Sequence, residues 1–252
     1  MEKMFEINNK VAIVTGASRG LGKAIAVGLA KAGANVVVTD VLDISYTVKE
    51  IKKLEKQVIG FKVDVSKKKD VEKMVKQTMN KFGKIDILVN NAGILRMGNA
   101  ETMKQEDWDK VIQVNLTGQF LCAQAVGKQM IKQKSGKIIN IASIAGLAGY
   151  ATSAPYSASK AGIILMTKTL AVEWGRYNIQ VNAICPGVFA TDMTDAFLND
   201  KQFMDMIKAR VPLGRYATPE QLVGTVIYLA STASDYMTGH ALVIDGGWTA
   251  GL

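Results

Sequence analysis

Tyr156 and Lys160 stand four residues apart in Pro155-Tyr156-Ser157-Ala158-Ser159-Lys160, a spacing that sets both on one face of a helix. A phenol titrates at about 10 when unperturbed, and an adjacent ammonium favours its anion. The pair therefore reads as an acid/base whose pKa Lys160 draws toward neutrality. The same spacing recurs on ordinary helices, so the pair carries weight only in company.

That company begins with Thr15-Gly16-Ala17-Ser18-Arg19-Gly20-Leu21-Gly22. The segment follows a short apolar strand and opens an amphipathic helix. Glycines allow a tight turn and a close backbone approach, and a helix N-terminus stabilises a pyrophosphate. The spacing is Gly-x-x-x-Gly-x-Gly rather than the commoner Gly-x-Gly-x-x-Gly. Asp40 ends the next strand, where a carboxylate accepts hydrogen bonds from ribose hydroxyls and repels a 2′-phosphate. This favours NAD over NADP. Arg19 pulls the other way, since a guanidinium beside that ribose pairs with a 2′-phosphate.

The elements that must position these groups alternate along the whole chain. Apolar runs at 11–14, 36–39, 61–65, 85–89, 138–141, 179–184 and 241–244 read as seven strands. Helical patterns at 21–31, 45–56, 69–82, 106–132, 154–176 and 219–230 fall between them. Such alternation implies right-handed crossovers and a buried parallel sheet, a doubly wound α/β fold that binds ligands at the carboxyl ends of its strands. No linker divides the 252 residues, which read as one domain, 1–252.

Composition narrows the partners. The net charge is +9, but the lysines lie on helix faces between apolar residues, without interleaved aromatics, so nucleic acid is not expected. No apolar run reaches the roughly 18 residues that span a bilayer, and the N-terminus lacks a signal-peptide core. Cys122 and Cys185, in apolar surroundings, read as reduced structural thiols of a cytoplasmic protein. His240 is the only histidine, and no metal site is expected around it.

Further motifs occur in order: Asp64-Val65, Asn90-Asn91-Ala92-Gly93, Asn115, Ser143, Pro186-Gly187, Thr191 and Asp245-Gly246-Gly247. Together with the glycine turn and the Tyr-x-x-x-Lys pair, they make the chain resemble the short-chain dehydrogenase/reductase family over essentially its whole length. The resemblance implies a catalytic set of Asn115, Ser143, Tyr156 and Lys160. Tyr156 would be the general acid/base, and Lys160 would tune it and hold the nicotinamide ribose. Ser143 would stabilise the substrate oxygen, and Asn115 would hold a water in a proton relay through Lys160. The dinucleotide is expected at Gly16, Ser18, Arg19, Gly20, Leu21, Gly22 and Asp40. Asp64 and Val65 would hold the adenine, with further contacts from Asn91, Ala92, Gly93, Tyr156, Lys160, Pro186, Gly187, Val188 and Thr191. The family also implies a homotetramer, assembled through helices 106–132 and 154–176 and the last strand.

Substrate contacts are expected from Arg96, Ser143, Tyr150, Tyr156 and Met193, beneath a variable lid at 189–215. Met193, Met204 and Met206 suggest an adaptable apolar lid. Arg96 follows Asn-Asn-Ala-Gly, where family members acting on sugar acids, such as gluconate 5-dehydrogenases and 2-deoxy-D-gluconate 3-dehydrogenases, carry Arg-Arg. Here Met97 replaces the second arginine. Similarity to those members extends to Val211-Pro-Leu-Gly-Arg215, Ala233-Ser-Asp-Tyr236 and Asp245-Gly-Gly-Trp248. The glycine turn and Pro186-Gly-Val-Phe-Ala-Thr-Asp-Met-Thr resemble 3-oxoacyl-carrier-protein reductases, which typically use NADPH. A broad-specificity alcohol, ketone or hydroxysteroid dehydrogenase is a third reading. A non-catalytic NAD-sensing regulator is a fourth, and the complete catalytic set speaks against it.

Overall fold

Runs of aliphatic residues without polar alternation suit strands covered on both faces. The computed structural model, which describes residues 2–251, forms seven such strands. They are β1 (Val11–Thr15), β2 (Asn35–Asp40), β3 (Val58–Lys62), β4 (Ile87–Asn90), β5 (Gly136–Ile141), β6 (Ile179–Pro186) and β7 (Ala241–Ile244). All pair in parallel, in the order β3-β2-β1-β4-β5-β6-β7. The helices are α1 (Gly20–Lys31), α2 (Ser45–Lys52), α3 (Lys68–Phe82), α4 (Gln105–Ile112), α5 (Gly118–Gln133), α6 (Ala154–Trp174), α7 (Asp195–Leu198), α8 (Lys201–Arg210) and α9 (Glu220–Ala230).

Alternate strand residues face opposite ways, and two cores result. Ala12, Val14, Val36, Val38 and Val89 pack with Ile25 and Leu29 of α1 and Leu222 and Val226 of α9. Val11, Ile13, Val37 and Leu88 pack with Val71 and Met74 of α3 and Cys122, Val126 and Met130 of α5. Between β1 and β4 the winding reverses direction, so the loops leaving these two strands diverge and open a crevice at their carboxyl ends. The seven-stranded parallel α/β fold matches expectation. Among the described residues, no helix is long and apolar enough to cross a membrane.

Several element boundaries differ from expectation. The third strand is Val58–Lys62, not 61–65. Val63 and Val65 are only 4% and 6% exposed, more buried than the strand itself, so the apolar signal follows the turn after this edge strand. The helix expected at 106–132 is two helices, α4 and α5, joined by a π-helical turn at Gln113–Thr117. A single wide turn barely disturbs hydrophobic periodicity and leaves no composition signal. Helix α2 ends at Lys52 and α6 at Trp174, each short of its expected end. The lid segment contains two helices, α7 and α8, that the sequence reading leaves as loop.

Candidate active site

The crevice between β1 and β4 is a cleft of about 480 Å³. Its lining brings together Gly16, Arg19, Gly20, Leu21, Gly22, Asp40, Asn91, Gly93, Arg96, Ser143, Tyr156, Lys160, Pro186, Gly187, Thr191 and Met193. Most of the residues singled out from sequence therefore share one space. A smaller groove of about 330 Å³ between α3 and α5 carries none of them.

At one end lies the glycine turn. Gly16 has a φ of +64°, and a Cβ there would sit 2.7 Å from the Ala92 Cα. The turn after β1 thus presses against the turn after β4, a contact that only glycine allows. Asn91 ties the two turns together, donating from Nδ2 to the Thr15 and Gly16 carbonyls at 2.9 Å each. Thr15 Oγ1 accepts from the backbone N–H groups of Asn91 and Ala92. Helix α1 starts with no side-chain cap, so its first-turn N–H groups offer unspent donors to an anion in the cleft. This cradle fits a dinucleotide pyrophosphate.

Asp40 is fixed rather than free. Its carboxylate accepts from the Ser18 backbone N–H and hydroxyl at 3.1 and 2.7 Å, and from the Leu42 N–H at 3.0 Å. Ser18 thus serves Asp40 and does not line the cleft. Asp64 and Val65 also lie outside the lining: the Asp64 carboxylate accepts from Ser66, and Val65 is buried next to Gly118. Ala92 backs the glycine turn instead of facing the cleft.

At the other end, Ser143 follows β5, while Tyr156 and Lys160 occupy the first two turns of α6. Lys160 is 3% exposed, and its Nζ donates to the Ile141 carbonyl at 2.8 Å. Burial pushes its pKa from 10.5 down to about 8. Burial also raises the Tyr156 phenol above 10, and a hydrogen bond with Ser143 opposes that rise. The expectation that Lys160 draws this phenol toward neutrality is therefore not met in this geometry. The ammonium is turned to the Ile141 carbonyl and lies over the tyrosine ring, 5.4 Å from its centroid. Ser143 is the group that favours the anion.

Asn115 sits within the π turn, wholly buried. Its Oδ1 accepts from the Ile94 N–H at 2.8 Å, while Nδ2 donates to the Ile94 carbonyl at 2.9 Å and to Ser159 Oγ at 3.2 Å. Both amide protons are committed, so the side chain clamps the loop after β4 onto α6.

The lid closes over an apolar cluster. Ile207 and Val211 are buried with Ile144 and Trp248, and Leu198, Phe203, Met204, Met206, Val188 and Tyr150 pack around them. Tyr150 thus lies outside the cleft lining, against expectation, because its ring packs on Trp248 at 5.9 Å between centroids. Its hydroxyl is buried without a hydrogen-bond partner. Val188 is likewise drawn into this cluster. Of the three lid methionines only Met193 lines the cleft, 41% exposed. Arg96 stands at the mouth, 54% exposed, with its Nε 3.6 Å from Asp107 Oδ1.

One cleft thus joins an anion cradle, a fixed carboxylate, the partly exposed Ser143 and Tyr156, and the buried Lys160. A family model described as Enoyl-(Acyl carrier protein) reductase matches residues 16–249. The chain belongs to the short-chain dehydrogenase/reductase family. This dehydrogenase/reductase is 46% identical over 248 residues to the 3-oxoacyl-[acyl-carrier-protein] reductase of Synechocystis sp., covering 97% of this chain and 98% of that one. It is 39% identical over 247 residues to the 2-dehydro-3-deoxy-D-gluconate 5-dehydrogenase of Escherichia coli, covering 98% of each. The structure of a gluconate 5-dehydrogenase from Burkholderia cenocepacia in complex with NADP and tartrate superposes with a TM-score of 0.96, at 36% identity over 99% of each chain.

The sequence reading missed Thr15, Ile94, Phe189, Asp192 and Thr194, which line or brace this cleft. Thr15 heads the glycine turn, Ile94 follows Gly93, and Phe189, Asp192 and Thr194 lie in the 186–194 run, so position in a motif was the signal; the Thr194 Oγ1 accepts from the Thr191 N–H at 3.0 Å. The two cysteines are free and buried, with thiols pushed up to about 12 for Cys122 and about 11 for Cys185. They are inert packing, as expected. His240 is exposed, and the described residues hold no cluster of metal ligands.

Proposed function

We propose that this enzyme interconverts a secondary alcohol and a ketone with NAD(H), acting on a sugar acid of the gluconate or deoxygluconate type. The observation that carries the reading is the meeting of Ser143, Tyr156 and Lys160 with the glycine turn and Asp40 in one cleft. When bound, the nicotinamide supplies or accepts the hydride. The glycine turn and the α1 N-terminus hold its pyrophosphate, and Asp40 accepts from the ribose hydroxyls. Lys160 holds the second ribose.

In reduction, the Tyr156 hydroxyl donates a proton to the substrate oxygen, and Ser143 donates a hydrogen bond to that oxygen as charge develops on it. A phenol held protonated at neutral pH suits this acid role. Asn115 contributes by clamping Ile94; for a relay water it keeps only a spare lone pair on Oδ1. Arg96, steadied by Asp107, meets the substrate carboxylate at the mouth.

A second reading, 3-oxoacyl-carrier-protein reduction, draws on the 46% identity to such a reductase. For assembly, Phe120, Leu165 and Val172 on α5 and α6 are 41%, 66% and 85% exposed. That apolar face supports a homotetramer, which light scattering measures directly. The functional test is an NADH-oxidation screen of keto-sugar acids, β-ketoacyl thioesters, diketones and ketosteroids side by side. Activity confined to acyl thioesters overturns the sugar-acid reading, and a clear NADPH preference overturns the role given to Asp40.

A further inference from the structure

A polar seam runs through the interior between the sheet and helices α5 and α6. Asn90 Nδ2 donates to Asn140 Oδ1 at 2.9 Å, and Asn140 Nδ2 donates to Thr167 Oγ1 at 2.9 Å. Gln119, in the first turn of α5, joins the seam directly after the π turn that carries Asn115. Its side chain is buried, 1% exposed. Gln119 Nε2 donates to the Ile141 carbonyl at 3.3 Å. The same oxygen accepts from Lys160 Nζ at 2.8 Å. It is open to side chains because β4 pairs with β5 only as far as Asn90 and Asn140, and the next two N–H groups turn to Thr15 Oγ1.

Gln119 fills this space at a cost to the fold. Its Oε1 is buried and, among the described residues, meets no donor. An unbranched apolar side chain of similar length would leave no desolvated acceptor unpaired. Packing therefore does not account for the amide. What the amide supplies is a second donor on the carbonyl that holds Lys160. The N–H end is the positive end of its dipole, so it weakens the attraction of that oxygen for a neighbouring ammonium.

We propose that Gln119 is a positioning residue for Lys160: by sharing the Ile141 carbonyl it loosens that oxygen's hold on the ammonium and leaves the ammonium available to the cleft. The use made of the loosened ammonium rests on the reading of Lys160 as holder of the nicotinamide ribose; the sharing of the carbonyl does not. The other titratable groups facing Lys160 are Tyr156 on its own helix and Cys185 near the end of β6. Burial raises both, so neither is charged at neutral pH. No carboxylate pairs with Lys160 among the described residues.

Gln119→Met and Gln119→Leu each remove the second donor together with the orphaned acceptor. Urea unfolding from pH 7 to 10.5, with and without Lys160→Met, reports the proton affinity of Lys160 in the folded, cofactor-free enzyme. Each Gln119 substitution is expected to raise that affinity by roughly three- to tenfold. The folded value then lies closer to the unfolded one, so the stability that Lys160 regains on going to alkaline pH should shrink. At pH 7 both variants should be at least as stable as the wild type. An alkaline gain that is unchanged or larger, in either variant that folds, overturns the proposal. Failure of both to fold also overturns it, because the amide would then be serving the core. The ribose reading is tested apart from this, by fluorescence titration with NADH. Affinity should weaken above about pH 8 in the wild type and show no such step in Lys160→Met. A wild type without that step overturns the ribose reading, whatever the unfolding shows.

Discussion

Replacing Lys160 by Met removes a charge that the fold holds at a loss. The side chain is 3% exposed, and burial pulls its pKa from 10.5 to about 8. The folded value lies below the unfolded one, so the unfolded chain binds this proton more tightly. The penalty is complete below about pH 8 and is relieved as pH rises toward 10.5. At about 1.4 kcal/mol per pH unit between the two values, it is on the order of 3 kcal/mol at neutral pH. Against it stands the hydrogen bond to the Ile141 carbonyl, worth about 1.5–3 kcal/mol as a charged donor. Lys160→Met should therefore be about as stable as the wild type at pH 7, while turnover falls on the order of a hundredfold or more. The discriminating measurement is urea unfolding of both proteins from pH 7 to 10.5, at one fixed protein concentration. Groups common to both cancel in the difference, and the wild type should gain on the order of 3 kcal/mol over the variant across that range. A difference flat to within about 0.5 kcal/mol would refute the claim that this ammonium is buried at a penalty. A costly charge retained in a cleft is what a working residue looks like.

Three further outcomes follow from the cleft and its lid. In the ligand-free enzyme, wild-type minus Tyr156→Phe absorbance at 295 nm should show no phenolate step below about pH 9, since burial raises this phenol; a step near neutrality would restore Lys160 as its tuning group. The Tyr156→Phe protein should also lose turnover while still binding NADH, which fluorescence titration reads. Trp248→Ala empties the cluster under the lid, where the ring is 5% exposed. A loss of about 3–5 kcal/mol from that cluster should appear as faster proteolytic cleavage within α7 and α8 and unchanged hydrogen exchange in β1, β4 and β5.

Local chemistry was legible wherever a few adjacent residues suffice. The glycine turn, Asp40 at a strand end and Tyr156 beside Lys160 need only neighbours in sequence, and the structure brings them into one cleft. Residues whose direction is set by a distant partner were not legible. Tyr150 reads as a substrate contact until Trp248, from the end of the chain, claims its ring. Arg19 reads as a phosphate ligand, and the fold sets its Nη1 2.8 Å from Asp192, a lid residue far off in sequence. Asp64 lies just beyond β3, where its neighbour Ser66 donates to its carboxylate. For Tyr156, spacing gives proximity to Lys160, but only the fold shows that the ammonium donates to the Ile141 carbonyl.

The π turn at Gln113–Thr117 holds about one residue more than a regular helical turn would. Upstream, α4 presents Val111 to the interior; downstream, α5 presents Cys122, Val126 and Met130. Deleting one residue from the turn would rewind it toward a regular helix and leave α5 close to its present phase, its buried stripe still facing the sheet. The loss would fall on Asn115, and with it on the clamp between the loop after β4 and α6. The extra residue is thus one that the core tolerates and the cleft depends on.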